Sequence, residues 1–244
     1  MIYKNFNYSP NFDLKKRKIN QIKFLIFHYT GMKKEKDSIN RLTSIKSKVS
    51  SHYLIKRNGD IIVLVPDLFI AWHAGKSYWK DFKNLNKTSI GIEISNPGHQ
   101  HNYKRFTNKQ IKSILRLSKY LVKKYKINSK NILGHSDIAP TRKKDPGEKF
   151  PWQFFSKNKI GIWHSLSDEK LKINRSKKVN LDIEKNFYKN LKKIGYKFTK
   201  PKNINKKNIS SLFIKSFQRR FRQQLINGKI DKECYLISEN IAKK

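Results

Sequence analysis

The chain has 244 residues, 37% of them hydrophobic and 12% aromatic, with 56 Lys+Arg against 17 Asp+Glu for a formal net charge of +39. That apolar content supplies a core and excludes a disordered chain, whose low hydrophobicity could not offset its conformational entropy. No apolar run approaches the roughly 18–20 residues of a bilayer-crossing helix, so a membrane-spanning helix is excluded as well.

In chain order, Ile22-Lys23-Phe24-Leu25-Ile26-Phe27 is a near-continuous apolar run of strand length ending at His28. A histidine there opens onto a loop, where ligands bind. Residues 53–57 and 60–65 flank Asn58-Gly59, the strongest short hairpin signal. A further strand, Ser89-Ile90-Gly91-Ile92-Glu93-Ile94-Ser95, is closed by Asn96-Pro97-Gly98. It carries Glu93 between two isoleucines, where an ionised side chain either faces outward or has a partner or purpose. Thr107-x-x-Gln110 is a capping box, and Ile111, Ile114, Leu115, Ser118, Leu121, Val122 and Tyr125 follow at helical spacing. Asn131-Ile132-Leu133-Gly134 reads as a short strand delivering His135 into a Pro- and Gly-punctuated loop that ends near Pro151-Trp152.

Residues 167–180 lose the apolar periodicity and read as a linker. Beyond it three helices are expected. Asp182 caps the first, with Ile183, Phe187, Leu191 and Ile194, and Gly195 stops it. Asn208 caps the second, with Ile209, Leu212, Phe213, Phe217 and Phe221, and Asp231 the third, with Leu236, Ile237 and Ile241. The division is therefore a domain over 1–166, a linker over 167–180 and a helical domain over 181–244.

Both halves are basic, since residues 171–244 hold 21 bases and 5 acids, and Lys outnumbers Arg 46 to 10. With no basic stripe, the excess reads as compositional drift plus attraction to a polyanionic envelope or wall, and nucleic-acid binding is the alternative. The lone Cys234 has no internal disulfide partner and reads as a buried small hydrophobe. The first residues lack the apolar stretch of a secretory signal, and no nearby cysteine offers lipid attachment.

Seven histidines are present. His28 and His135 stand out because each follows a strand and because Asp145, in Asp-Pro-Gly, lies ten residues beyond His135. Two neutral imidazoles and a carboxylate form the ligand set of an open catalytic zinc site. Asp137 is close enough to His135 in sequence to orient an imidazole through its second nitrogen. His52 reads as structural or as supporting a ligand, and His99, His101 and His164 read as surface residues.

These residues fall in a longer pattern. Phe27-His28-Tyr29-Thr30, Val49-Ser50-Ser51-His52-Tyr53-Leu54-Ile55, Ala71-Trp72-His73-Ala74-Gly75, Asn86-x-x-Ser89-Ile90-Gly91-Ile92-Glu93 and Gly134-His135-Ser136-Asp137-Ile138-Ala139-Pro140-x-Arg142-Lys143-x-Asp145-Pro146-Gly147 resemble the zinc-dependent N-acetylmuramoyl-L-alanine amidases. Phe150-Pro151-Trp152-Gln153 and Phe217-Gln218-x-x-Phe221-Arg222 resemble the AmiD type, whose C-terminal module looks like a small peptidoglycan-binding domain.

The resemblance implies an α/β fold with a mixed central β-sheet flanked by helices, followed by the three-helix C-terminal domain. It implies one zinc ion held by His28, His135 and Asp145, Glu93 and Lys143 as the catalytic pair, and Trp72, His73, Ala74 and Asn86 as substrate contacts. The expected partner is peptidoglycan or muramyl peptides, acted on by a monomer with no obligatory nucleic acid. The family implies the cell envelope, whereas the N-terminus leaves the cytoplasm open. A recognition module of the same fold without turnover, or a nucleic-acid binder, are the competing readings, and an intact ligand set with Glu93 favours the enzyme.

Overall fold

The computed structural model describes residues 5–199 and 206–244. Its first elements are β1 (Asn5–Phe6), β2 (Phe12–Asp13), β3 (Phe24–Tyr29), α1 (Glu35–Thr43), β4 (Tyr53–Ile55), β5 (Ile61–Val63), β6 (Ile70–Ala71), β7 (Tyr78–Trp79), β8 (Phe82–Lys83) and β9 (Ser89–Ile94). Then come α2 (Asn108–Tyr125), β10 (Ile132–Gly134), α3 (His135–Ile138), α4 (Trp152–Lys157), α5 (Asp168–Asn174), α6 (Leu181–Ile194), α7 (Lys206–Phe221) and α8 (Lys232–Ala242).

Six of the strands form one mixed sheet in the order β1-β5-β4-β9-β3-β10. The expected hairpin is its antiparallel pairing, β4 with β5, turning at Gly59 (φ 89°); the pairs β1–β5, β4–β9, β9–β3 and β3–β10 are parallel. Parallel strands β9, β3 and β10 therefore end on the same side of the sheet, where ligands gather in open α/β folds.

Strand alternation divides the core in two. Leu25 and Phe27 of β3, with Ile90, Ile92 and Ile94 of β9, pack beneath α2, whose Ile114, Leu117 and Leu121 are fully buried. Helix α2 starts where the capping box places it, at Thr107, whose hydroxyl accepts from Gln110 N. Phe24 and Ile26 point the other way and join Leu133 in a core with Phe187, Leu191, Phe213, Phe217 and Ile237 of the C-terminal helices. The sheet is thus covered on one face by α2 and on the other by α6, α7 and α8. Each buried Phe there contributes roughly 2–3 kcal/mol through the apolar area it removes from water.

Three local expectations are revised. Within 167–180, Ser167 caps α5, which buries Leu171 against the C-terminal core, because the short amphipathic turn has an apolar neighbour to cover it. Asn180 rather than Asp182 caps α6, its side chain accepting from Ile183 N, and Asp182 sits in the first turn, where its charge suits the helix dipole. Asn208 lies inside α7, and what precedes Lys206 falls outside the described residues. Asp231 does cap α8, and Cys234 is buried. Among the described residues no helix is long and apolar enough to cross a membrane.

Helix α7 also closes the β10 edge of the sheet. Arg220, 2% exposed, donates to Asp137 Oδ2 at 2.5 Å and to Ile132 O at 2.8 Å, and its guanidinium lies 4.5 Å from the Trp152 ring centroid. Ser216 Oγ donates to Ser136 O at 2.7 Å, and Tyr196 OH to Asp137 Oδ1 at 2.8 Å. Removing one member of a buried ion pair leaves the other charged and unpaired. Arg220→Met should therefore destabilise the fold by about 3–5 kcal/mol, and adding Asp137→Asn should restore part of that loss in urea unfolding. An unchanged midpoint in the single variant would contradict this account.

Candidate active site

Register places the site. His28 of β3 pairs with Glu93 of β9, and Gly134 of β10 pairs with Phe27, so Glu93, His28 and His135 come abreast at three neighbouring strand ends. The loop after α3 returns Asp145 to the same place, where Ser136 N donates to Asp145 O at 2.8 Å.

His28 Nδ1, His135 Nδ1 and Asp145 Oδ2 form a nearly equilateral triangle with sides of 2.9, 3.0 and 3.1 Å, and all three residues are buried. Tetrahedral zinc with ligands about 2.0–2.1 Å away separates its donor atoms by roughly 3.3 Å, so these residues fit the ion. Their protonation fits too. Burial and the neighbouring His135 hold His28 down to about 4, and burial likewise lowers His135. Although burial alone would raise Asp145, the two histidines pull its carboxyl well below the usual carboxylate range. Neutral imidazoles and an ionised carboxylate are the forms a metal requires.

Glu93 faces the same space, and its Oε2 is buried without a hydrogen-bond partner among the described residues. Burial and the Asp145 charge raise its pKa to about 8, against the pull of Lys143. A cation beside Asp145 offsets that repulsion and favours ionised Glu93. Lys143 lines the same cleft, a cavity of about 430 Å³, with Trp72, His73 and Arg41.

The second imidazole nitrogens are held from behind. His135 Nε2 lies 3.1 Å from Ala74 O, and His28 Nε2 3.0 Å from His73 Nδ1. Arg142 donates to the Ala74 carbonyl and, at 3.0 Å through Nε, to Lys76 O, tying the 74–76 turn to the loop of Asp145.

Not every residue singled out in the sequence reaches the cleft. Ala74 is fully buried, and Asn86 Oδ1 accepts from His73 N at 3.1 Å and Ala74 N at 2.7 Å; both shape the turn behind the lining. Trp72 lines the cleft while donating to Asp13 Oδ1 at 2.7 Å. Asp137 touches no imidazole, because Gly134 N, Tyr196 and Arg220 occupy its oxygens. His52 is a buried brace: its Nδ1 accepts from Gly91 N, and burial with nearby Arg17 lowers it to about 3. His164 is buried, not superficial, and desolvation lowers it to about 4. His99 bridges Tyr29 OH and Glu148 at the cleft, the paired neighbours supplied by residues far apart in sequence.

Known proteins resemble this chain in sequence and fold. The family model described as N-acetylmuramoyl-L-alanine amidase matches residues 18–148. The chain is 35% identical over 238 residues to the N-acetylmuramoyl-L-alanine amidase AmiD of Escherichia coli, covering 92% of this chain and 83% of that protein. The solved complex of E. coli AmiD with anhydro-N-acetylmuramic acid-L-Ala-D-gamma-Glu-L-Lys superposes with a TM-score of 0.80 at 32% identity, covering 95% of this chain and 92% of that one. AmpDh3 of Pseudomonas aeruginosa in complex with anhydromuramic pentapeptide gives a TM-score of 0.78 at 28% identity over 94% of this chain and 93% of that one. With its fold and most of its length shared in this way, the chain belongs to the N-acetylmuramoyl-L-alanine amidase family and is an enzyme of that class.

Proposed function

We propose that the protein is a zinc-dependent hydrolase of the amide bond between N-acetylmuramic acid and L-alanine in peptidoglycan or its fragments, serving cell-wall turnover in the envelope. The observation that carries the zinc reading is the buried triangle of His28 Nδ1, His135 Nδ1 and Asp145 Oδ2 beside an unpartnered Glu93 oxygen.

Zinc held there supplies Lewis acidity and a water of lowered pKa. The chain's own residues do the rest. Glu93 Oε2 takes a proton from the attacking water and returns it to the leaving L-alanine nitrogen, a shuttle for which a carboxyl near neutral pH is suited. The Lys143 ammonium faces the carbonyl oxygen as negative charge develops on it, a contribution usually worth a few kcal/mol. Trp72 and His73 wall the cleft against which the muramyl peptide lies. The +39 charge favours accumulation on an anionic wall, and a monomer suffices because Glu93, Lys143 and the three metal ligands come from one chain.

Purified protein should release peptides with a new L-alanine N-terminus from a defined muramyl peptide, stop on chelation and resume with zinc. Zinc binding and peptidoglycan retention without release would instead identify a recognition module.

A further inference from the structure

His28 can offer its Nδ1 lone pair to a metal only if its proton sits on Nε2. Hydrogen bonds behind the site decide where that proton goes. Leu85 O is a carbonyl and can only accept, so Ser89 Oγ, 2.5 Å away, gives it the hydroxyl proton. Ser89 then has only lone pairs for His73 Nε2 at 3.1 Å, so His73 carries its proton on Nε2 and leaves Nδ1 bare. His28 Nε2, 3.0 Å from that bare nitrogen, must donate to it. What remains on His28 is an unprotonated Nδ1, facing His135 and Asp145 at 2.9 and 3.1 Å.

The chain is enclosed. Ser89 and His28 are fully buried and His73 is 8% exposed, so bulk water does not compete for these protons. The two rings stand at 84°, an angle that rotation about the shared N–H···N axis leaves free and that this bond accommodates. Position 91 supports the placement: a Cβ on Gly91 would lie 2.5 Å from His73 Cγ, so the ring occupies room that only glycine leaves. Reversing the chain would face the Leu85 carbonyl with a hydroxyl lone pair and let His28 Nδ1 donate to Asp145 Oδ2 at 3.1 Å, so the order Ser89–His73–His28 belongs to the state in which a cation, not a proton, lies between Nδ1 and that carboxylate.

We propose that His73 and Ser89 are positioning residues which, through the proton order Ser89–His73–His28, fix the His28 tautomer that presents Nδ1 to the metal; the identity of that metal as zinc rests on the function proposed above. Partners of this kind usually contribute about 10–100-fold to metal affinity.

The test compares zinc dissociation constants, by chelator competition at one pH, for the wild type, His73→Phe, His73→Asn and Ser89→Ala. Thermal unfolding of the zinc-free forms reports folding separately. His73→Phe is expected to weaken zinc binding about 10–100-fold. His73→Asn, whose amide oxygen can stand where Nδ1 stood, should stay within a few-fold of wild type, with Ser89→Ala between. Ring nitrogen–proton correlation spectra of the zinc-loaded wild type should find the His28 proton on Nε2 and protected from exchange, a readout that survives if a variant fails to fold. Wild-type zinc affinity in folded His73→Phe, or an unprotected His28 Nε2 proton in the zinc-loaded wild type, overturns the proposal. Absence of zinc binding by the folded wild type would instead remove the zinc reading and this proposal with it, whereas zinc binding unchanged by His73→Phe removes the proposal alone.

Discussion

Glu93→Gln is expected to lower kcat by roughly 10³-fold while the protein keeps its zinc, because a positioned acid–base group typically contributes 10²–10⁴-fold and the amide cannot exchange the proton. Glu93 lies outside the ligand triangle, so metal content should not change. Its Oε2 makes no hydrogen bond that folding depends on, so stability should hold or rise slightly as a buried carboxyl is replaced by a neutral group. Metal analysis, unfolding curves and steady-state kinetics on one preparation separate these effects. Retained turnover would remove Glu93 from the mechanism, and lost zinc would place it among the ligands.

His135→Ala carries the other large effect, of a different kind. It removes one corner of the triangle and also the imidazole that, with His28, keeps Asp145 ionised. Zinc affinity should fall by more than the about 100-fold that loss of a supporting residue can cost, and activity should fall to background. The variant also leaves the Ala74 carbonyl with Arg142 as its remaining donor, so modest destabilisation is expected. Excess zinc should restore little, whereas chelated wild type should recover fully. A variant that still holds zinc would show that His28 and Asp145 suffice.

Much of the site was legible because its residues lie at the ends of strongly marked segments. The apolar run before His28, the short strand before His135 and the strand bearing Glu93 all form as their patterns indicate, and parallel register then brings the three side chains together. The capping box of α2 and the Asp231 cap of α8 were equally readable, since both are satisfied within three residues. The helix of 168–174 and the cap at Asn180 were missed because a short segment in a Lys-rich stretch gives little periodicity.

The sequence by itself determined the strands, the main helices and the residue types of the candidate metal-binding group, because these depend on local periodicity and on which side chains carry lone pairs. Only the tertiary structure decided who stands behind the ligands. Asn86 holds the turn of Ala74, Arg142 clamps it, Ser89 and His73 line up behind His28, and Asp137 is claimed by Tyr196 and Arg220 from the C-terminal helices. Each is a hydrogen bond between residues brought together by sheet register or core packing, often more than 50 positions apart, and a one-dimensional pattern contains no term for that proximity. The same holds for the C-terminal helices. Their amphipathic spacing announced a buried face, but the sheet residues Phe24, Ile26 and Leu133 that this face covers became evident only when strand alternation turned them toward it.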